Sequence, residues 1–266
     1  MLPTYFDIHS HLNFKDFDAD RSEVISRMKE NEIWTITVGV DETSSVSAIK
    51  LAEEKEGMFA TVGVHPTHTE TMSKDKIIEL AQSSSKVVAL GECGLDYYRI
   101  DGGDESEKKR QHDVFANHIE AAIELNLPLM IHGRAAYADI YDILSSYYRE
   151  HGTKLKANMH FFAGSIDDAK KFLSLGFTLS FDGPITFADS YDEVIRFAPL
   201  EAVMAETDAP FASPAQYRGR RNEPSYVIEI VKRIAEIKGE NLEKVKKALV
   251  QNAFKVFNLE RIVASL

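Results

Sequence analysis

Short apolar runs recur along the chain, and the stretches between them carry apolar residues at helical spacing. The strand candidates are 4–9, "IWTITVGV" (33–40), "MFATVGV" (58–64), "KVVALGE" (86–92), "LPLMIH" (127–132), "KANMHFF" (156–162), "FTLSF" (177–181) and "AVMAE" (202–206). Most are continuous rather than alternating, the pattern of parallel strands buried on both faces. Helical patterns fill 20–31, 43–56, 74–83, 107–125, 136–150, 166–175, 190–197 and 224–238, and a last pair follows at about 241–249 and 250–257. Ser73 and Ser165 stand where N-caps belong, and Gly176 suits a left-handed C-terminal cap. Alternation of this kind with short links predicts one α/β domain over residues 1–266. Eight repeats favour a closed (β/α)8 TIM barrel over an open sheet. The longest interruption, 95–107, is expected to be a functional loop.

Polar residues concentrate at the strand ends. "YFDIHSHLNF" (5–14) places Asp7, His9 and His11 on one side of a strand and Phe6, Ile8 and Leu12 on the other. The third strand ends in "GVHPTH" with His65 and His68, and the fourth in "GECGLDYY" with Glu92 and Asp96. His132 and Arg134 follow the fifth, His160 the sixth, and Glu206 and Asp208 the eighth. In a closed barrel these ends converge on the C-terminal mouth, where barrel enzymes keep their active sites. Imidazole and carboxylate suit Zn²⁺, Mn²⁺ and related ions. Four histidines with two carboxylates exceed what one zinc requires and fit two metals sharing a bridging carboxylate. His112, His118 and His151 fall in helical segments and are expected to be structural. Cys93, adjacent to Glu92, is expected to face away from the mouth.

Composition narrows the classes. A net charge of −11, from 42 acidic and 31 basic residues, argues against a protein that coats nucleic acid non-specifically. It leaves open an enzyme whose site is locally positive. No apolar run is long enough for a membrane helix, no secretory signal is visible, and no obligate protein partner is implied. With Cys93 as the only cysteine, no intrachain disulfide can form, and a cytoplasmic location is the simplest expectation. No G-x-x-x-x-G-K-[ST] phosphate loop is present.

The motifs "DIHSHL" (7–12), "GVHP" (63–66), "GECGLDYYR" (91–99), "IHGRAA" (131–136), "HFFAG" (160–164), "ETDAPF" (206–211) and "RGRRNEP" (218–224), in this order, resemble those of the TatD family of metal-dependent deoxyribonucleases, among the amidohydrolase-like barrels. Two pieces depart from the usual family wording: "HFFAG" lacks the common Cys after His and Ser before Gly, and "IHGRAA" replaces the common "HSR" with its acidic residue. The resemblance implies that His9 and His11 hold one metal with Asp208 beside it, that His132 and His160 hold a second, and that Glu92 bridges them. It implies hydrolysis of DNA phosphodiester bonds with Mg²⁺, Mn²⁺ or Zn²⁺, often as a 3′→5′ exonuclease acting on single strands. Asp208 and Glu92 would then be catalytic, with His65 at the phosphate or leaving oxygen. Arg134, and Arg220 with Arg221, would be phosphate contacts. Asp7 is open to two readings, orienting a ligand histidine or capping backbone. Tyr97, Tyr98, Phe161 and Phe211 could stack on bases or simply pack. A rival reading is a metal-dependent hydrolase of a small-molecule or aminoacyl ester, amide or lactone, since one barrel serves many bonds. A second rival is a non-enzymatic scaffold with a vestigial site.

Overall fold

A computed structural model describes residues 2–98, 100 and 103–260. Eight parallel strands pair in chain order: β1 (Tyr5–Ser10), β2 (Ile33–Thr37), β3 (Met58–Val62), β4 (Val87–Asp96), β5 (Leu129–Arg134), β6 (Ala157–Met159), β7 (Thr178–Phe181) and β8 (Val203–Ala205). The helices between and after them are α1 (Arg21–Glu30), α2 (Glu42–Glu54), α3 (Lys74–Gln82), α4 (Glu105–Leu125), α5 (Tyr137–His151), α6 (Ile166–Ser174), α7 (Asp192–Phe197), α8 (Val227–Lys238) and α9 (Leu242–Val256). This is the (β/α)8 barrel that the strand–helix alternation predicts. The ring closes through the segment after β8. His11 N–H donates to Ala209 O at 2.7 Å, Asp208 N–H donates to His9 O at 2.9 Å, and Ser10 bridges Ala209 in parallel.

Local chemistry sets the element ends. Ser73 accepts from Lys76 N–H, and Ser165 forms a reciprocal capping box with Asp168, so both expected caps are present. Gly176, at φ +77°, donates to Leu173 O and ends α6 in the left-handed conformation. Gly91 serves a different purpose. At φ +140° it lies against β5, where an added Cβ would collide with Met130 O. That close approach carries the next residue, Glu92, toward the neighbouring strand.

Apolar side chains divide into two clusters. The larger lies between strands and helices and includes Leu90, Leu129, Leu179 and Phe172. The smaller joins Phe6, Ile8, Ile36, Phe59, Met130 and Met204 to Phe254 and Phe257 at the end of α9. Leu12, expected beside Phe6 and Ile8, packs in the larger cluster, because β1 shifts register between Asp7 and Ser10.

Several boundaries differ from expectation: β2 ends at Thr37, β3 at Val62 and β6 at Met159, short of the expected 40, 64 and 162. β4 continues to Asp96, because Cys93 to Asp96 pair with Ile131 to Arg134 of β5, so the loop starts later than residue 95. Residues 99, 101 and 102 of that loop lie outside the described residues. The expected last helix pair is one helix, α9. Asn252 in its middle is buried and donates to Leu200 O and Val203 O, both at 2.8 Å, so a residue with turn chemistry is satisfied within the helix.

Candidate metal centre

The end of β1 brings His9 and His11 together, their Nε2 atoms 3.2 Å apart. His11 Nδ1 faces Val38 O at 3.2 Å. A carbonyl only accepts, so the His11 proton belongs on Nδ1 and Nε2 keeps its lone pair. Asp208 Oδ1 lies 3.4 Å from His11 Nε2 and 3.7 Å from His9 Nε2. Burial, together with the charge of His160, lowers the His9 pKa and keeps that ring neutral.

Glu92 faces two ways. Its Oε1 is 3.0 Å from His132 Nδ1, 3.4 Å from His65 Nε2 and 3.6 Å from His160 Nε2. Its Oε2 is 3.5 Å from His9 Nε2 and 3.9 Å from His11 Nε2. Burial opposes its ionisation, but the surrounding imidazoles, His65 and His132 first among them, outweigh it and hold the carboxyl well below its usual range. Asp208 is likewise kept ionised: burial opposes, and His11, His160 and His9 prevail.

His132 is pinned between two carboxylates, with Nε2 3.1 Å from Asp96 Oδ2. Burial works against its charge, yet Asp96 and Glu92 raise its pKa. His160 stacks flat on His9, ring centroids 3.6 Å apart, and its Nδ1 lies 3.0 Å from Glu206 Oε2. Burial again opposes its charge, and Glu206, Glu92 and Asp208 together push its pKa up to about 10. Glu206 is itself held by Phe161 N–H at 2.6 Å and Ser180 Oγ at 3.1 Å. His65 sits at the cavity wall, its N–H on Val40 O and its ring on Thr67 Oγ1. Burial takes its pKa down to about 4, so it is neutral at ordinary pH.

The chemistry of these donors fits divalent cations. Three groups offer ligand atoms within 4.8 Å of one another: His9, His11 and Asp208; His65, Glu92 and His132; and His9, His160 and Glu206. Imidazoles, with His9 and His65 held neutral by burial, and the ionised carboxylates of Glu92 and Asp208 facing them make a ligand set for Zn²⁺ or Mn²⁺. The six expected ligands therefore converge. One grouping differs from expectation: His160 lies closest to His9 and Glu206, its ring 6.4 Å from that of His132.

Other expected residues are placed as follows. Arg134 lines the cavity above the centre, its guanidinium 3.8 Å from the Tyr98 ring. Phe161 and Phe211 also line the cavity, which has a volume of about 570 Å³. Tyr97 turns aside to His112 and Asp139, at 2.6 and 2.7 Å. Arg220 is exposed and outside the cavity lining. Arg221 is held by Asp20 at 2.6 and 2.7 Å and by Asp16 O at 2.5 Å, so it clasps the segment before α1 instead of facing the centre. Asp7 takes its capping reading: it accepts from Thr207 N–H, Thr207 Oγ1 and the nearby His9 N–H, tying β1 to the segment after β8. His118 is structural, accepting from Val64 N–H while its Nδ1 donates to Val114 O. Cys93 is fully buried in the larger apolar cluster.

Two carboxylates that contact candidate ligands, Asp96 on His132 and Glu206 on His160, stand in the sequence as strand-end acids without an assigned role. Asp182, just after β7, escaped notice, although "SFDG" put it at a strand end too. It is fully buried, and neither of its oxygens has a hydrogen-bond partner among the described residues.

Comparison with known proteins agrees with this architecture. Residues 6–258 match the family model described as "TatD related DNase". A Bacillus subtilis protein described as "Uncharacterized metal-dependent hydrolase YabD" is 38% identical over 260 residues, covering 96% of this chain and 99% of its own. The Escherichia coli K12 protein YcfH, described in the same words, is 30% identical, with 96% of each chain covered. The crystal structure of YjjV, a TatD homologue from Escherichia coli K12, superposes with a TM-score of 0.86 at 27% identity, over 97% of this chain and 99% of that one. With His9, His11, Glu92 and Asp208 gathered at the barrel mouth, the chain belongs to the TatD family and is a metal-dependent hydrolase.

Proposed function

We propose that this hydrolase cleaves phosphodiester bonds of DNA from an exposed end, as a 3′→5′ exonuclease on single strands. The observation that carries the reading is Glu92, with one oxygen toward His9 and His11 and the other toward His132, His65 and His160. That arrangement suits a carboxylate shared by two divalent ions. Mg²⁺, Mn²⁺ and Zn²⁺ are the candidates. His9, His11 and Asp208 would hold one ion, and His132 and His160 the other. When bound, such ions polarise the phosphoryl oxygen and lower the pKa of water at the site.

The chain's own groups divide the remaining work. Asp208, ionised and lining the cavity, accepts a proton from the attacking water. The water's OH adds to phosphorus, the bond to the leaving sugar oxygen breaks, and a proton returns to that oxygen. His65 is neutral, so it serves as a hydrogen-bonding group toward the phosphate or the leaving oxygen, not as a fixed cation. Arg134 is the sole Arg or Lys lining the cavity among the described residues. Its guanidinium fork suits one phosphate.

The end-dependent part of the reading rests on confinement. A cavity of about 570 Å³ with a single arginine offers no track for a long duplex. No protein partner is required. No helix among the described residues is long and apolar enough to cross a membrane. A single buried cysteine suits a reducing cytoplasm, where we place the activity.

The test pairs a linear single strand with a covalently closed circle of the same sequence, each with Mg²⁺, Mn²⁺ or Zn²⁺. Release of mononucleotides from the 3′ end of the linear strand, with the circle intact, is the expected result. Equal cleavage of both would overturn end dependence. Turnover of an ester or lactone with both strands intact would transfer the assignment to a small-molecule hydrolase.

A further inference from the structure

Four aromatic side chains are markedly exposed among the described residues: Tyr98, Phe187, Phe197 and Phe211. Three of them lie under a cation. Arg134 covers Tyr98 at 3.8 Å, Arg218 covers Phe187 at 4.3 Å, and Lys170 lies 5.9 Å from the Phe197 ring. Phe211 has no such cover among the described residues, is 54% exposed, and lines the cavity over the metal centre.

Its position is built, not incidental. Phe211 N–H donates to Asp208 O at 2.8 Å, and the buried Asn222 amide donates to Phe211 O at 2.6 Å and Thr207 O at 2.7 Å. The flanking residues Asp208 and Ala212 hold φ near +54° and +51°, a conformation that non-glycine residues adopt only where their surroundings fix it. Phe14 completes the wall. It stacks on His11 with ring centroids 4.4 Å apart at 21°, and Phe211 stands edge-on to both, 6.1 Å from His11 and 6.4 Å from Phe14. Leaving a rigid phenyl ring in water at a cavity mouth forgoes its burial, which a planar ligand would restore.

We infer that Phe211, backed by Phe14, is the stacking platform for the base of the terminal nucleotide. This rests on the nucleic-acid reading above. The base lies on the aromatic wall beside His11 and Asp208, and the adjoining phosphate reaches Arg134. A platform reads the π-face of a base and not its edge, so it favours any base over none.

The experiment uses metal-loaded protein and oligonucleotides identical except at the 3′ terminal residue, which carries adenine, thymine or no base. The expected KM for the abasic end is about 5- to 150-fold above that for adenine, the range that stacking energies give. Phe211→Ala should collapse that ratio toward one, and Phe211→Trp should keep it. Because the ring is exposed, Phe211→Ala should melt at the parent temperature, which checks the fold. End cleavage with no preference for a base, or a preference that survives Phe211→Ala, overturns the platform and leaves the exonuclease reading standing. No cleavage of any oligonucleotide removes that reading and the platform with it.

Discussion

Glu206 Oε2 lies 3.0 Å from Nδ1 of His160, and both side chains are buried. The carboxylate sits against Nδ1, and Nε2 is the nitrogen turned toward Glu92, 3.6 Å away. A carboxylate on the far nitrogen also raises the basicity of a ligand histidine. Glu206→Gln is therefore expected to weaken metal binding about 10- to 100-fold, the usual cost of losing such a partner. Isothermal titration of chelator-treated protein measures it. Unchanged affinity would show that His160 is positioned by its stacking on His9 alone.

Glu92→Gln removes a charge that faces both halves of the centre. Metal content, read by elemental analysis after loading, should fall for all bound ions together. The thermal stabilisation that metal confers on the parent should shrink with it, as binding linkage requires. Loss of only one ion, with the other at parent occupancy, would mean that Glu92 serves one side and does not bridge.

The candidate ligands are legible in the sequence because most of them end a strand whose apolar run announces it. His9, His132 and His160 could be placed at one mouth without knowing any distance. What stayed hidden depends on which distant groups meet. Arg221 reads as a free cation in "RGRRNEP", and nothing local shows that Asp20 holds it. The segment 241–257 reads as two helices, and nothing local shows that a buried Asn252 finds two carbonyl partners within one continuous helix. β4 reads as ending at Glu92 because Gly94 and Asp96 carry turn chemistry, yet β5 supplies partners through Arg134. Asp7 could be assigned only once Thr207, two hundred residues away, proved to be its donor.

Asp208→Asn keeps the shape of the side chain and removes the proposed proton acceptor. The expected loss is in kcat, about 10²- to 10⁴-fold, with a much smaller change in KM for a phosphodiester substrate. Metal content must be measured alongside, since Asp208 also faces His9 and His11. A variant fully loaded with metal and altered only in KM would assign Asp208 to substrate binding.

Arg221→Ala tests the clasp. The guanidinium pairs with Asp20 and Asp16 O and lies 4.4 Å from the Phe17 ring. Its pair with Asp20 is solvent-screened, so the loss should be at most about 1 kcal/mol, or a drop of about 2–4 °C in Tm. The KM for oligonucleotides should stay within about twofold of the parent, as a residue outside the cavity requires. A large rise in KM with Tm unchanged would restore Arg221 to the substrate.

Asp182 carries the opposite problem, a carboxyl with no hydrogen-bond partner among the described residues. Burial, reinforced by the charges of Glu206 and Asp208, raises its pKa well above the usual range. The native state therefore binds this proton more tightly than the unfolded chain does. The associated stability is complete below the unfolded value of about 3.9 and is lost as pH rises through the folded one. Asp182→Asn is nearly isosteric and cannot ionise, so it escapes that loss. In chelator-treated protein the variant should match the parent near pH 4 and exceed it near pH 8. A gain on the order of 1 kcal/mol, the low end of what an uncompensated buried polar group costs, corresponds to a Tm rise of about 2–4 °C. Comparing the two proteins at each pH cancels every other titrating group they share. A gap independent of pH, or a less stable variant at pH 8, would mean that Asp182 is ionised in the fold and held by a partner that its surroundings supply.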